Sequence, residues 1–547
     1  MEPLGLALAA IGVPLAVLPA LNLAFALPKL LVLQFSVAVL VIVVLIRGRS
    51  AADTSGGGAG SRYRAVAWGL IGAWLAWQLA AAVASISAKR SWGGTYEWRN
   101  GVGTTALQVA LALVVAQLAR RAPIAEYVRR ALVLGSIPVV AYALLQAARL
   151  DPVGWDTDFR PIFATFGNSP LLAGYLALAA PLTVARLAAT RGRARRLVGM
   201  LIAGQVLVVV ISGARGGLLA LLAGVGLVAG LPWLLRHSWG QSAFRTASAL
   251  TGAAFCAAPL LLGLTRPDSA RVLSNLDATA FPPRETVAPR LEVWRVAVEV
   301  SLEKPWLGYG PATFDLAVYS SAAAGDSDVL QSQYWDRAHN LPLELAIESG
   351  WPAAVLFISA VVAALWRSAA AAGTESSSSR MMRVFAPAAG LAAGLIDRGF
   401  NPGSVGTDVV LWLLLGVALS GGARTVGRTR WLLKRAALAG ALVLAVTGVF
   451  TTLRAMSADA SYLTGQLAER AGRLDVAAEQ YSRAVLRDPG QVEYVRSLAG
   501  AHLALAEREF DAGMRAQAAT IAQGALALEP LDVRAQELLA RAAEPSS

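Results

Sequence analysis

Uninterrupted apolar segments of about 18 to 22 residues recur along the chain, separated by polar connections. A helix needs roughly 20 apolar residues to cross the hydrocarbon core of a bilayer. With 56% hydrophobic and only 15% charged residues, the 547-residue chain has the composition of a membrane protein. The pattern predicts an all-α, polytopic helical membrane protein with about 13 transmembrane helices. The predicted spans are residues 4–25, 30–46, 65–86, 102–118, 131–148, 170–188, 197–211, 216–235, 246–264, 341–366, 384–399, 409–421 and 436–453.

Arginine residues are concentrated in alternate connections between these segments, near residues 47–64, 120–130, 191–196, 236–245, 380–383 and 424–435. By the positive-inside rule these connections are cytoplasmic. The N-terminus is then cytoplasmic, whereas a large loop at about 265–340 and the tail after the last span are extracytoplasmic. The formal net charge of +13 is therefore a signal of topology in the cytoplasmic membrane, and it does not predict nucleic-acid binding.

The N-terminal stretch MEPLG lacks the basic region of a cleavable signal peptide, so we interpret the first apolar segment as a membrane anchor. A single cysteine, Cys256, provides neither a disulfide framework nor a cysteine metal site. His237 and His502 have no metal-ligand neighbours in the sequence. We therefore predict no bound metal and no cofactor.

The composition changes from Ala460 onward to alternating charges with Ala and Leu at helical spacing. Residues 460–489, ASYLTGQLAERAGRLDVAAEQYSRAVLRDP, are similar to a tetratricopeptide repeat, in which small residues let two antiparallel helices approach. A second, longer copy ends at Pro530. We predict a transmembrane domain at 1–454 and a tetratricopeptide-like extracytoplasmic domain at 455–547. The second domain is either a docking surface, which would select the acceptor or a protein partner, or a plain helical cap.

Four polar stretches fall where the predicted topology places the outer membrane face. They are FATFGNSPLLAGYL (163–176), SGARGG (212–217), RLEVWRVAVEVSLEKPWLGYGPATF (290–314) and DRAHNLPLELAIESG (336–350). Their candidate functional residues are Asn168, Arg215, Arg290, Arg295, His339, Asn340 and Glu348. Arginines together with an imidazole suit transfer from a membrane-borne phosphate ester, because guanidinium groups bind phosphate oxygens and an imidazole accepts a proton.

Arg215 lies between two apolar segments, with no polar loop to carry it into water. An arginine at this depth costs roughly a few kcal/mol unless it snorkels to the interface, faces a wet cavity or meets an anion. Topology alone gives snorkelling and the anion site equal support. The flanking glycines favour the anion site, because they would let a ligand approach the backbone.

His339 is one of three histidines in the chain. A lone histidine is more often a hydrogen-bonded surface or capping residue than a catalytic one. The neighbouring arginines and the extracytoplasmic position favour a catalytic role as a proton acceptor. Asn340 is placed to cap the following helix, which would set Glu344 and Glu348 one turn apart on one face.

The ordered set FGNxxxLAGYL, SGARGG, RLxxWRxAxxxxxxxPxxGxGxxxF and AHNxxLELxxExG resembles the O-antigen ligase and polymerase superfamily of polysaccharide-assembling membrane enzymes, over about residues 160–355. The resemblance implies inverting, metal-independent transfer of a glycan from an undecaprenyl-diphosphate-linked donor to an acceptor hydroxyl outside the cytoplasm. It also implies that Arg215 and Arg290 bind the diphosphate and that His339 activates the acceptor hydroxyl. Fixed guanidinium charges would stabilise the anionic leaving group in a poorly hydrated site.

Several alternatives stay open within this resemblance. The rivals of Arg290 for the diphosphate are Arg271, Arg284 and Arg295. A ligase and a polymerase share the chemistry and differ in the acceptor, which is a lipid-linked core glycan, a protein hydroxyl or the growing chain itself. The motifs favour the ligase.

Other classes of function have weaker support in the sequence. Asp326 and Asp328 mimic the Asp-x-Asp of metal-dependent, nucleotide-sugar glycosyltransferases, but they fall in the predicted extracytoplasmic loop, and we interpret them as solvated. A polysaccharide transporter or flippase predicts charged residues along several mid-membrane segments and repeat symmetry between halves, which the sequence does not show. A structural assembly protein organised by the tail predicts that His339 is dispensable.

Overall fold

The computed structural model describes residues 1–47, 61–155, 162–234, 284–420 and 428–543, and these ranges fold as helices joined by irregular connections. The first group comprises α1 (Glu2–Leu15), α2 (Leu27–Arg47), α3 (Ser61–Val83), α4 (Ala88–Gly93), α5 (Val102–Leu118), α6 (Ala122–Ala147), α7 (Ser169–Ala189), α8 (Gly192–Ile211) and α9 (Arg215–Leu234). The second comprises α10 (Arg284–Glu303), α11 (Phe314–Ser320), α12 (Ala322–Gly325), α13 (Asp328–Ser332), α14 (Leu341–Ser349), α15 (Trp351–Ala372), α16 (Ser378–Arg398) and α17 (Val405–Ala418). The last comprises α18 (Arg428–Arg470), α19 (Leu474–Arg487), α20 (Val492–Glu509), α21 (Ala512–Leu528) and α22 (Val533–Ala543).

Among the described residues, seven helices are long and apolar enough to cross a membrane, namely α2, α3, α6, α7, α8, α15 and α18. Shorter apolar helices are α1, α5, α9 and α17, and α16 is buried between α7, α9 and α15. Each predicted span thus has a helical counterpart, except residues 246–264, which lie outside the described residues. The predicted fold class, a polytopic helical membrane protein, is confirmed.

The first predicted span, residues 4–25, is wrong in its extent. Helix α1 ends at Leu15, after a π-helical turn at Leu8–Gly12, and residues 16–26 are not helical. The buried ammonium of Lys29 donates hydrogen bonds to the carbonyls of Ala16 and Thr165, both at 2.7 Å. This cation satisfies the Ala16 carbonyl, which the end of α1 leaves free, and it also binds the connection before α7. Because the contact comes from another segment, the apolar composition does not reveal the break.

The predicted span 341–366 is also wrong, because it forms two helices that meet at Gly350. Gly350 has a φ of +80°, and a Cβ at this position would clash with the carbonyl of Trp306. The backbone N–H of Tyr309 donates to the carbonyl of Ile347 at 2.9 Å, so the turn before α11 packs against the end of α14. Only α15 is long enough to cross a membrane, and α14 lies at its mouth.

The two ends of the helical bundle differ in charge. At the arginine-rich end, Arg47 pairs with Glu2, and Glu126 pairs with Arg130 at 2.8 Å and Arg186 at 3.4 Å. At the opposite end, which we call the polar end, the connections 84–101, 304–350 and 399–404 contact one another. This separation agrees with the alternation of arginines along the chain. Which end faces the cytoplasm stays a prediction.

The tail is a set of antiparallel helices that begins on the last apolar helix. Helix α18 runs unbroken for 43 residues, so the boundary predicted at 454/455 falls inside one helix. Its C-terminal part packs against α19, with the rings of Tyr462 and Tyr481 5.4 Å apart, and Gly465 leaves room for the Tyr481 ring. Helices α20 and α21 form the next hairpin. The tetratricopeptide assignment stays a prediction.

Candidate active site

Arg215, Arg290 and His339 share one electrostatic neighbourhood at the polar end. Burial lowers the pKa of the Arg290 guanidinium, and the nearby positive charge of Arg215 lowers this pKa further. Burial also lowers the pKa of the His339 imidazole, to about 4; Asp336 opposes this change, whereas Arg290 and Arg337 add to it. Arg290 is therefore an electrostatic neighbour of both Arg215 and His339, the other two residues that the sequence predicts as the core of the site.

The short segment 399–401, Gly-Phe-Asn, connects the three motifs that carry these residues. Arg290 donates through Nη1 to the carbonyl of Phe400 at 3.2 Å, and Asn340 donates through Nδ2 to the carbonyl of Gly399 at 3.3 Å. Gly216, next to Arg215, lies so close that a Cβ there would be 2.8 Å from Phe400 Cβ and Asn401 Nδ2. Because α16 ends at this segment, the packing of α16 sets the positions of all three motifs.

Arg215 is the first residue of α9 and is partly exposed. The connection from α8 is only residues 212–214, in which Gly213 has a φ of +70° and makes the turn. Backbone N–H groups at a helix start carry partial positive charge, which adds to that of the guanidinium. In the described part of the chain no carboxylate pairs with Arg215 or Arg290. An anion at this point would meet two guanidinium groups and a helix N-terminus.

His339 is held by its backbone in a conformation that is uncommon for a residue with a side chain. Its φ is +53°, its N–H donates to Glu344 Oε1 at 3.1 Å, and the preceding carbonyl, of Ala338, accepts from Trp294 Nε1 at 2.8 Å. The imidazole meets the ring of Trp335 edge-on, with 5.8 Å between centroids. Strained backbone of this kind persists only where its surroundings fix it. The fold therefore fixes the orientation of the half-buried, neutral imidazole of His339.

The helix after His339 begins as predicted. Asn340 accepts through Oδ1 from the N–H of Leu343 at 3.2 Å, so its predicted role as N-cap of α14 is confirmed. Glu344 and Glu348 follow on one face of α14, and burial raises the pKa of both carboxyls, that of Glu348 to about 7, where Glu344 adds to the effect.

Two of the supporting candidates are exposed to solvent. Arg295 is exposed on α10, where it pairs with Glu292 at 2.7 Å and Glu299 at 2.6 Å, so its charge is already balanced. Asn168 is exposed at the start of α7, and its side chain makes no capping hydrogen bond there. Of the rivals for the diphosphate, Arg271 and the side chain of Arg284 lie outside the described residues.

Two of the glycines around Arg215 pack against neighbouring segments of the protein. A Cβ at Gly217 would clash with Ala173 of α7, and Gly216 faces segment 399–401. The space beside these two glycines is thus filled by protein, and close packing of α9 on α7 and α16 is the physical reason for them. At Gly213, by contrast, nothing lies within 4 Å of a Cβ, so the approach of a ligand to the backbone beside Arg215 stays a prediction.

Sequence reasoning missed two buried arginines beside the cluster. Arg337 lies over the ring of Trp98 at 4.5 Å and 3.9 Å from Glu344. Arg398, at the end of α16, donates to Thr407 Oγ1 at 2.7 Å and pairs with Asp408. Arg337 lies two residues before His339 at the start of the stretch DRAHNLPLELAIESG, and this position could have marked it as a candidate. Arg398 had only the weaker signal of an Asp-Arg pair closing an apolar helix.

Asp397, which precedes Arg398, connects the end of α16 to the motif at residues 163–176. It accepts from Asn401 Nδ2 at 2.7 Å and lies against Gly174, where a Cβ would clash with its carboxylate. The glycine of the LAGYL sequence therefore lets α7 approach the end of α16. Among the described residues, no group of three or more His, Cys, Asp or Glu side chains is arranged to hold a metal ion.

Comparison with known proteins gives a match in the part of the chain that holds these residues. Residues 198–358 match a family model described as O-antigen ligase, a range that includes Arg215, Arg290 and His339. Curated proteins give no significant match. The family description supports glycan transfer of the ligase or polymerase type. The resemblance predicted from the motifs is confirmed over residues 198–358.

Proposed function

We propose that the protein transfers a glycan from an undecaprenyl-diphosphate-linked donor to an acceptor hydroxyl at the extracytoplasmic face of the cytoplasmic membrane. The observation that carries this proposal is the convergence of Arg215 and Arg290 beside the half-buried imidazole of His339, within the range matched by the O-antigen ligase family. The N-terminus and the arginine-rich end then face the cytoplasm, and the tail is extracytoplasmic.

The arginines bind the diphosphate of the donor. Their guanidinium groups donate to phosphate oxygens, and the negative charge that grows on the leaving group is stabilised by charges that are already in place. Two like charges held close together lose stability unless an anion comes between them. The site without donor therefore already has the charge distribution that the departing diphosphate requires.

His339 accepts the proton of the acceptor hydroxyl while the hydroxyl oxygen attacks the anomeric carbon opposite the diphosphate. The new C–O bond forms as the bond to the diphosphate oxygen breaks, which inverts the anomeric configuration and releases undecaprenyl diphosphate. The neighbouring arginines lower the pKa of His339, and a bound diphosphate offsets their charge and raises this pKa. Donor binding thus makes the imidazole a stronger base at the moment it is needed.

The acceptor decides between the ligase and the polymerase. The ligase reaction places a finished glycan on a lipid-linked core glycan or on a protein hydroxyl, and the polymerase reaction uses the growing chain. We favour the ligase because the motifs at 212–217 and 338–340 resemble that branch more closely. In either reaction the lipid bilayer delivers the donor, and neither a metal nor a cofactor takes part.

The test uses a host that lacks this gene and is complemented with wild type, with His339→Ala or with the matched surface control Arg295→Ala. Surface glycan is resolved by size and carrier-linked glycan is extracted. A ligase predicts long chains stranded on the carrier lipid with His339→Ala, and a polymerase predicts single repeat units on the final acceptor. An unchanged ladder with His339→Ala removes the catalytic assignment.

A further inference from the structure

Among the described residues, a cavity of about 450 Å³ opens between α6, α7, α8 and α16 at the arginine-rich end of the bundle. It is lined by the N-terminal parts of α6, α8 and α16 and by the C-terminal part of α7. Helices α6, α7 and α8 are long and apolar enough to cross a membrane, so a cavity near their ends faces one leaflet. Helix α8 begins beside the cavity and ends at Ile211, just before Arg215, so the cavity lies away from the candidate active site.

Positive charge predominates in the lining of this cavity. Among the described residues, the charged side chains that line it are Arg129, Arg130, Arg186, Arg383 and Glu126, an excess of three positive charges. Glu126 accepts from Arg129 Nε at 3.3 Å and from Arg130 Nε at 2.8 Å, and it pairs with Arg186 at 3.4 Å. The terminal Nη groups of Arg129 and Arg130 take no part in these contacts. Guanidinium groups bind phosphate oxygens through such donors, so the lining suits a phosphate with a net negative charge.

Apolar side chains continue the cavity from the arginines toward the middle of the bundle. Leu134 and Ile137 of α6 and Leu197 of α8 line it, and they are 56%, 46% and 63% exposed. Ile137 is eight residues after Arg129, which places it roughly 12 Å further along the helix. The cavity thus combines cations at one end with an exposed apolar wall at membrane depth. A soluble phosphate compound would use only the cations, whereas a phospholipid uses both parts.

The excess of positive charge also distinguishes between kinds of phospholipid. A zwitterionic headgroup such as phosphatidylethanolamine brings an ammonium group beside the guanidinium groups, where like charges disfavour each other. An anionic headgroup such as phosphatidylglycerol brings the phosphate without a cation. Basic pockets between transmembrane helices bind anionic headgroups in this way. The volume of the cavity lies within the ~300–1,000 Å³ that is common for ligand sites.

We propose that this cavity is a binding site for one anionic phospholipid from the leaflet at the arginine-rich end. The phosphate diester accepts hydrogen bonds from arginines of the lining, and an acyl chain lies against the exposed leucine and isoleucine side chains. The lipid contacts α6, α7, α8 and α16 together, so its binding stabilises their packing. The inference does not depend on the proposed function, since it concerns the other end of the bundle.

The test measures lipid binding by native mass spectrometry of the purified full-length protein, titrated with phosphatidylglycerol or phosphatidylethanolamine. For wild type we expect one phosphatidylglycerol to bind at least about tenfold more tightly than any phosphatidylethanolamine. The double variant Arg186→Gln, Arg383→Gln removes two positive charges from the lining and should weaken this binding at least about tenfold. The matched control Arg195→Gln, Arg196→Gln removes two arginines at the same end that do not line the cavity, and should change the affinity less than about twofold.

A second pair of variants tests the apolar wall at constant charge. Leu134→Trp fills the cavity from α6 and should prevent phosphatidylglycerol from raising the temperature of thermal unfolding. Leu145→Trp changes a 42% exposed leucine of the same helix that does not line the cavity, and it should respond to the lipid as wild type does. Because both side chains are exposed, neither substitution overpacks a buried core.

The other occupants of the cavity give different results. Equal binding of phosphatidylglycerol by wild type and by Arg186→Gln, Arg383→Gln overturns the inference. An equal loss with Arg195→Gln, Arg196→Gln also overturns it, because it would show a general attraction of this end for anions. Tight binding of glycerol 3-phosphate that Leu134→Trp leaves unchanged assigns the arginines to a soluble phosphate and overturns the lipid assignment.

Two further results would replace the phospholipid by another apolar partner. Undecaprenyl phosphate that binds more tightly than phosphatidylglycerol, and is weakened by the same variants, assigns the cavity to the polyprenyl carrier. Lipid-free dimers in the mass spectra of wild type, which Leu134→Trp converts to monomers, assign this surface to a second copy of the chain. Either result overturns the inference, whereas selective binding of one phosphatidylglycerol that both lining variants weaken supports it.

Discussion

Arg290 lies close enough to Arg215 for the charge of Arg215 to lower the pKa of the Arg290 guanidinium, in addition to the effect of burial. The carbonyl of Phe400 holds Arg290 in this position at 3.2 Å. Two guanidinium groups that disfavour each other's charge, with no carboxylate between them in the described part of the chain, form a site prepared for an anion. Under the proposed function, the arrangement costs stability in the free protein, and the bound diphosphate restores that stability.

Replacing either arginine should therefore weaken donor use. With Arg215→Ala or Arg290→Ala we expect kcat/KM for a polyprenyl-diphosphate-linked donor to fall at least about 30-fold, the equivalent of ~2 kcal/mol for a charge-assisted contact in a poorly hydrated site. Lysine variants should recover part of the loss, because they restore the charge without the two-pronged geometry of a guanidinium. Initial rates at several donor concentrations measure this. Arg295→Ala is the control, and an equal loss with that variant would contradict the assignment.

Asn340 follows His339, the proposed base, and contacts the segment that positions Arg290. Two variants separate the two hydrogen bonds of its side chain. Asn340→Asp keeps an acceptor for the N–H of Leu343 but removes the donor to the carbonyl of Gly399. We expect this variant to retain its thermal stability and to lose donor affinity, because segment 399–401 loosens. Asn340→Ala also removes the cap and should cost a further ~1 kcal/mol of unfolding free energy. Thermal unfolding and donor KM, measured together, check both effects; equal donor KM in Asn340→Asp and wild type would show that the link to Gly399 is not used.

The pH profile should reveal the depressed basicity of His339. Burial lowers its pKa to about 4 in the free protein, so the imidazole stays neutral and able to accept a proton far below its ordinary 6.5. The acid limb of kcat/KM, which reports the free enzyme, should then lie near pH 4. The acid limb of kcat should lie at higher pH, because the bound diphosphate favours the imidazolium. An acid limb of kcat/KM at about 6.5 would show that the imidazole is solvated and that the burial argument fails.

The lowered pKa of His339 also makes the stability of the fold depend on pH. Because the folded pKa of His339 is below 6.5, the unfolded chain binds more protons as the pH falls from 6.5 to about 4, and the free energy of unfolding decreases through this window. Above pH 6.5 the group contributes no such change. His339→Gln should lessen the loss of stability between these two pH values, provided other groups titrate alike in both proteins.

The sequence predicted which motifs lie close together in the fold better than it predicted the ends of the helices. Arg215, Arg290 and His339 could be found because each stands in a short polar motif between apolar segments, and the order of the motifs matches one family. The break after Leu15 could not be found, since the carbonyls there are satisfied by Lys29 from the next helix. The split at Gly350 likewise depends on a distant contact, with the turn at residues 306–310.

The partners of the buried charges in the helical bundle also could not be predicted from the sequence. In the sequence, Arg398 is simply a charged residue at the end of an apolar helix. Its pairing with Thr407 and Asp408 depends on how α16 packs against α17. The packing of Gly216 and Gly217 could not be predicted for the same reason, because a glycine that admits a ligand and one that admits a neighbouring helix look alike in the sequence. Only the packing of α7, α9 and α16 distinguishes them.

The approach of α7 to α16 at Gly174 gives a test of that packing. A Cβ at Gly174 would clash with the carboxylate of Asp397, which also holds Asn401 in the segment beneath Arg290. Since backbone or carboxylate must move, Gly174→Ala should lower the free energy of unfolding by ~1–3 kcal/mol and reduce donor affinity as well. Gly226→Ala is the matched control, because nothing lies within 4 Å of a Cβ there and alanine favours a helix. Thermal unfolding of both variants in the same detergent decides the matter: a Gly174→Ala protein as stable and active as Gly226→Ala would show that α7 does not set the position of Asp397.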